Sequence, residues 1–137
     1  MDSHKKGDLT EAAVLTELKR RDVPVSIPFG DNERYDFVVE TPDTQFLRAQ
    51  IKTGWSRDGV IEFRGYSKHT NSSGNIQKSY DGDIDCFLVF SHEHEQLFFV
   101  WEEEVGANMS LRTEEPKQNQ PSINWAADYA FDERWPP

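Results

Sequence analysis

Cysteine is almost missing from this chain: Cys86 is the only one among 137 residues. A single thiol forms no intrachain disulfide and cannot supply a structural zinc framework. Cys86 lies in the apolar run Ile84-Asp85-Cys86-Phe87-Leu88-Val89-Phe90, so it is expected in the core. Long hydrophobic stretches are missing too. No run nears membrane-spanning length and no charged-then-apolar leader opens the sequence, so a soluble, cytoplasmic protein with no membrane partner is expected. There is no Walker-type glycine loop, dinucleotide fingerprint or Gly-x-Ser-x-Gly elbow. Asp81-Gly82-Asp83 and Asp85 are acidic, but the EF-hand loop pattern does not form around them. No internal repeat is present.

Positive charge is also scarce. Fifteen Lys and Arg stand against 25 Asp and Glu, a net charge of −10. Taken alone this argues against a nucleic-acid partner, because phosphate contacts need Lys and Arg. Two facts counter it: cation sites need carboxylates, and the basic residues are unevenly spread. An acidic surface also suits high salt, and a halophilic, salty cytoplasm is one reading of it. An ordinary acidic protein is the other.

What is present suffices for one domain with a real core, expected to span 1–137. The spacing predicts a helix from Gly7 to Asp22, capped by Asp8 and followed by Pro24. On that helix Glu11 shares a stripe with Val14, Leu15 and Leu18, so an acid should point inward. Val25-Ser26-Ile27 reads as a short extended piece. Tyr35–Glu40 and Phe46–Lys52 read as an antiparallel hairpin turning at Pro42-Asp43, and Val60–Arg64 as a third strand. Residues Gly65–Gly82 are polar and read as a long loop or a broken helix. Ile84–Ser91 should be a buried strand, with a turn at His92-Glu93-His94-Glu95 and a neighbour at Leu97–Trp101. A polar linker from Thr113 to Pro121 leads to a final helix, from Ser122 or Asn124 to about Glu133, burying Trp125, Tyr129 or Phe131.

Polar groups stand where core is expected. Asp36 sits in Tyr35-Asp36-Phe37-Val38-Val39, and Gln50-Ile51-Lys52 ends its partner strand. Strand alternation puts Gln50 and Lys52 on one face. The helix bearing Glu11 would pack across the sheet and bring the groups together. Their types suit a metal-binding phosphodiesterase site. Mg²⁺ takes oxygen ligands and keeps several waters, which Asp36, the Gln50 amide, the Ile51 carbonyl and Glu11 can accommodate. Lys52 can orient or help deprotonate a water, or balance phosphate charge. Each residue also has a plainer reading. Glu11 can complete a capping box with Asp8, Asp36 can pair at a strand edge, and Gln50 and Lys52 can be a solvent face. His92-Glu93-His94-Glu95 has metal-like residues but sits in a turn.

Gly7-x-x-x-Glu11, Tyr35-Asp36 and Gln50-x-Lys52 together resemble the PD-(D/E)xK nuclease superfamily. More narrowly, the chain is similar to its small single-domain endonucleases, a group that includes a group I intron homing endonuclease. Tyr80 followed by Asp85-Cys86-Phe87, and the segment Ile123-Asn124-Trp125-Ala126-Ala127-Asp128-Tyr129, fit that narrower match. The resemblance implies an α/β fold with a central mixed β-sheet flanked by helices, a restriction-endonuclease-like core. It also implies Mg²⁺- or Mn²⁺-dependent DNA cleavage and a homodimer or homotetramer. Glu11, Asp36, Gln50 and Lys52 fall on the active-site positions. Gln50 stands where most of the superfamily has Glu or Asp, and Tyr35 replaces the Pro. Arg48, Arg57, Arg64, Lys68 and Lys78 flank the site and are candidates for contacts with DNA phosphates. A Holliday-junction resolvase or other structure-selective repair nuclease would share this core. A catalytically inactive regulatory or interaction protein that kept the fold would also suit the acidic charge.

Overall fold

The computed structural model describes residues 1–71, 74–118, 120 and 122–137. Helix α1 spans Ser3–Arg20. Asp2 caps it, its carboxylate accepting the Lys5 N–H at 2.9 Å. The helix thus begins earlier than Gly7, and Asp8 lies inside it. The extra turn is solvated and carries no apolar residue, so periodicity could not reveal it. A capping-box role for Glu11 is thereby removed. Val14 and Leu18 are fully buried on the inner stripe. Asp22 takes a left-handed φ of 57° and the Val23 N–H returns to the Leu18 carbonyl at 3.0 Å, which ends the helix before Pro24.

Strands β1 (Val25–Ser26), β2 (Phe37–Glu40) and β3 (Phe46–Thr53) follow, each antiparallel to the one before. Beyond Gly54 come β4 (Trp55–Arg57) and β5 (Val60–Arg64), then a ribbon of β6 (Tyr66–Asn71) and β7 (Gly74–Ser79). Strands β8 (Cys86–Ser91) and β9 (Gln96–Trp101) complete the main sheet, and β10 (Asn108–Arg112) joins β5. The five-stranded sheet runs β1-β2-β3-β8-β9, with β3 and β8 parallel and the other pairs antiparallel. A second, three-stranded sheet runs β10-β5-β4.

The continuous apolar run in β8 has a direct cause: both of its faces are covered. On one face Cys86, Leu88 and Phe90 join Val14 and Leu18 of α1, with Phe37, Ala49 and Ile51. On the other, Phe87 and Val89 meet Ile61, Phe63, Met109 and Leu111 of the second sheet. Gly54 sits at the bend between the two sheets, where a Cβ would lie 2.5 Å from Ile61 Cγ2. Only glycine lets the chain pass there.

Three expectations are corrected. Residues 65–82 are not a loop or broken helix but mostly the ribbon β6–β7, whose strand β7 is polar and exposed along its whole length. Ser72 and Ser73 within it lie outside the described residues. The final helix is two short ones, α2 (Ala126–Tyr129) and α3 (Phe131–Arg134), because Ala130 is extended (ψ 136°) and bridges to Phe98. Phe131 is buried beneath α1 and β9, while Trp125 and Tyr129 are only half-buried. Strands β4 and β10 have no counterpart in the expected layout. Of the expected linker, Asn119 and Pro121 lie outside the described residues.

Candidate active site

Asp36 stands one residue before β2, where the antiparallel ladder with β3 runs out. Its N–H donates to the Ala49 carbonyl at 2.9 Å, and its Oδ2 accepts the Ile51 N–H at 3.0 Å. The carboxylate therefore takes the place that a further residue of β2 would fill. In a strand the N–H and C=O of one residue point the same way, so the Ile51 carbonyl points to this edge as well, where it accepts a hydrogen bond from the Gln50 amide Nε2 at 3.4 Å. Helix α1 crosses here and brings Glu11 against Asp36. Glu11, Asp36, Gln50 and Ile51 line one pocket of about 270 Å³, together with Asp8 and His4.

Lys52 does not line that pocket. It extends beside it, donating from Nζ to the Tyr66 carbonyl and to the Tyr80 hydroxyl, both at 3.2 Å, with the ring centroid 4.9 Å away. Arg34 also lies over this ring, 4.3 Å from its centroid, and is anchored by Asp83 at 2.8 Å. Tyr80 is itself only 4 % exposed and packs edge-on against Phe87.

The electrostatics follow from this crowding. Burial pushes the Glu11 carboxyl up to about 7, and the Asp36 charge with a hydrogen bond between the two adds to it. Burial also raises Asp36, against the opposing pull of the Ile51 N–H, Glu11 and Lys52. Burial lowers Lys52 to about 8; Asp36 resists this, while Arg64 and Arg34 reinforce it. The pocket thus holds two neighbouring acids that burial and mutual repulsion make harder to ionise, beside an amine whose positive charge burial disfavours.

Among the described residues no group of three or more His, Cys, Asp and Glu is placed to hold a metal. The donor set is smaller and made of oxygen: two carboxylates, the Gln50 amide and the Ile51 carbonyl. It fits a hard cation that retains part of its water shell, and such an ion would relieve the repulsion between Glu11 and Asp36.

The basic candidates divide. The Arg48 guanidinium is held by Asp85 at 3.2 Å and by the Gly82 carbonyl at 3.1 Å, so it braces β3 against the segment before β8. Arg57 is exposed but borders a different pocket, shared with Arg112, Glu62 and Glu104. Arg64 is exposed near Lys52, and Lys68 and Lys78 are exposed on the ribbon. Sequence reasoning assigned no role to Arg34, to Thr10 or to His92. Thr10 Oγ1 lies 2.7 Å from Thr53 Oγ1 and 2.9 Å from His92 Nε2, pinning α1 to the ends of β3 and β8 next to Glu11. Only the polar residue Thr10 within an apolar stripe hinted at this. The turn at His92 therefore serves packing.

A model of the PD-(D/E)XK endonuclease family matches residues 1–132. The chain belongs to the PD-(D/E)XK endonuclease family. No curated protein matches it. Among solved structures it is similar to a bacterial homing endonuclease, I-Ssp6803I, with a TM-score of 0.79 and 21 % identity over 96 % of this chain and 90 % of that one. At that identity the likeness establishes the fold, an α/β architecture on a mixed five-stranded sheet. The matched range includes Glu11, Asp36, Gln50 and Lys52. Among the described residues of this family member, no helix is long and apolar enough to cross a membrane.

Proposed function

We propose that the protein is a Mg²⁺- or Mn²⁺-dependent endonuclease that hydrolyses phosphodiester bonds of DNA at the Glu11–Asp36 pocket, acting as a homodimer or homotetramer. The observation that carries this reading is the convergence of Glu11 from α1 and Asp36 from the start of β2 on one pocket, with Lys52 held beside it. Asp36 and Glu11 would hold the ion, with Gln50 and Ile51 as neutral oxygen donors. A bound divalent cation polarises the phosphoryl oxygen and activates water for in-line attack. Asp36 is oriented by the Ile51 N–H, which fixes one of its oxygens and leaves the other for the pocket. Glu11 must give up its proton to serve as a ligand. Two of the three ammonium protons of Lys52 are engaged by Tyr66 and Tyr80. The third is left for a phosphate oxygen, where it opposes the charge that develops in the transition state. Arg57, Arg64, Lys68 and Lys78 remain candidates for phosphate contact, whereas Arg48 is engaged internally. For self-association, the edge strand β1 with exposed Ile27 and Phe29 beside it offers one apolar surface among the described residues.

The test is cleavage of supercoiled plasmid and of a four-way junction with Mg²⁺, with Mn²⁺ and with chelator. Metal-dependent nicking or linearisation is expected. Asp36→Asn, which keeps an acceptor for the Ile51 N–H, and Lys52→Ala should each lose roughly 10²–10³-fold in rate while melting like wild type. Strong preference for the junction would assign a resolvase. No cleavage of either substrate at millimolar metal would leave a non-catalytic protein of this fold and overturn the proposal.

A further inference from the structure

The ribbon β6–β7 pairs from Tyr66↔Ser79 to Asn71↔Gly74 and packs little against the other named elements. Every residue of β7 is exposed, and Ile76 keeps 47 % of its surface. Six residues per strand at about 3.3 Å each project it by roughly 20 Å. A lone two-stranded ribbon without an apolar face gains little in water. Its root, by contrast, is fastened. Arg34 donates to the Ser79 carbonyl at 3.0 Å and to Ser67 Oγ at 2.8 Å, and Lys52 Nζ donates to the Tyr66 carbonyl at 3.2 Å.

Charge singles out the same stretch. Between Glu62 and Asp81 there is no acidic residue, although the chain has 25, and Arg64, Lys68 and Lys78 fall within it. From Thr44 to Tyr80 the chain carries six basic and two acidic residues, a local balance of +4 within a protein of net −10. This is the strip a polyanion can approach.

The register assigns the faces. Lys68 pairs with Gln77, and Ser67 with Lys78. Neighbouring rungs point to opposite sides, so Lys68 and Gln77 share one face, and Lys78 shares the other with Ser67, the residue bound by Arg34. We propose that this ribbon enters the major groove of duplex DNA, with Lys68 and Gln77 reading base edges and Lys78 meeting the phosphate backbone. The groove is about 12 Å wide and admits a two-stranded ribbon. A lysine suits the O6 and N7 acceptors of guanine, and a glutamine the N6 and N7 of adenine. Because the Tyr66 carbonyl at the root is a partner of Lys52, seating the ribbon also sets where that ammonium stands relative to the cut strand. The proposal rests on the endonuclease reading only for its substrate, duplex DNA.

The experiment uses a pool of duplexes randomised in sequence and incubated with the full-length protein and Mg²⁺. Cut ends are sequenced, and duplex affinity is measured on the sequence that wild type prefers. Lys68→Ala/Gln77→Ala should melt like wild type and relax the preference at two or three neighbouring base pairs, with affinity for the preferred site down about tenfold. Lys78→Ala should weaken all sequences alike and lower the salt slope by about one. An unchanged preference in the double variant overturns the proposal, whether its affinity is unchanged or falls uniformly. A changed oligomeric state in sedimentation would give the ribbon to a second copy of the chain and also overturn it. Failure of wild type to cut any duplex with Mg²⁺ or Mn²⁺ would instead count against the endonuclease reading.

Discussion

Lys52 donates a hydrogen bond to the Tyr80 hydroxyl at 3.2 Å, and the Arg34 guanidinium lies 4.3 Å from the centroid of the same ring. A lysine lowered to about 8 by burial thus depends on a few fixed acceptors to remain a cation. Tyr80 is in this sense a positioning residue for Lys52.

Tyr80→Phe keeps the ring against Phe87 and removes only the hydroxyl. A hydrogen bond to a charged donor is worth about 1.5–3 kcal/mol, so the cleavage rate should fall at least tenfold. Loss of an acceptor disfavours the ammonium, and the alkaline limb of the pH–rate profile should move to lower pH. Rates across a pH series check both. An unmoved limb would reduce Tyr80 to packing.

Glu11 makes stability and metal binding depend on pH in opposite senses. Its carboxyl is raised in the folded, metal-free protein from 4.5 to about 7. The stability it contributes is therefore fully present below about 4.5 and lost as pH rises through 7. Glu11→Gln should raise the metal-free melting temperature by a few degrees at pH 8 and leave it unchanged near pH 4. Metal must displace that proton, so Mn²⁺ affinity should climb steeply up to about pH 7 and then level off. Calorimetric titration at several pH values reads this, and the climb should be shallower in Glu11→Gln.

Gln50→Glu places a third carboxylate beside Glu11 and Asp36 in the same pocket. A hard cation prefers it to an amide oxygen, so the Mg²⁺ concentration at half-maximal thermal stabilisation should fall. Weaker binding would show that the side chain of Gln50 is not a ligand.

Arg48 should behave as a brace. Its guanidinium and backbone N–H both engage Asp85. The pair is partly exposed, so Arg48→Ala should cost about 1 kcal/mol or less in denaturant unfolding. Duplex affinity should be unchanged. A clear loss of affinity at normal stability would return Arg48 to the nucleic-acid surface.

The local pattern of this chain determined a good deal. The inward stripe of Glu11, Val14 and Leu18, the β2–β3 hairpin and the doubly covered strand β8 are written in periodicities of 3.6 and 2 and in one unbroken apolar run, because burial selects side chains position by position. The same logic made Glu11, Asp36 and Gln50 visible as polar residues on faces that should be apolar. Strand β10, by contrast, was not read from the sequence, although Met109 and Leu111 alternate with exposed neighbours in it. Ribbon β6–β7 left no such trace, since a strand exposed on both faces, as β7 is, carries no burial period. The split between α2 and α3 was hidden for another reason. Ala130 is a good helix former, and it is the bridge to Phe98 that holds it extended. What only the tertiary structure decided is which partners each charge meets. Arg48 faces Asp85, Lys52 turns to Tyr66 and Tyr80, and Arg34 closes over the same ring, all across long spans of sequence. Such pairings depend on how β3, β8 and the ribbon root are brought together, and a charge read in sequence looks the same whether it ends in a brace, a pocket or solvent.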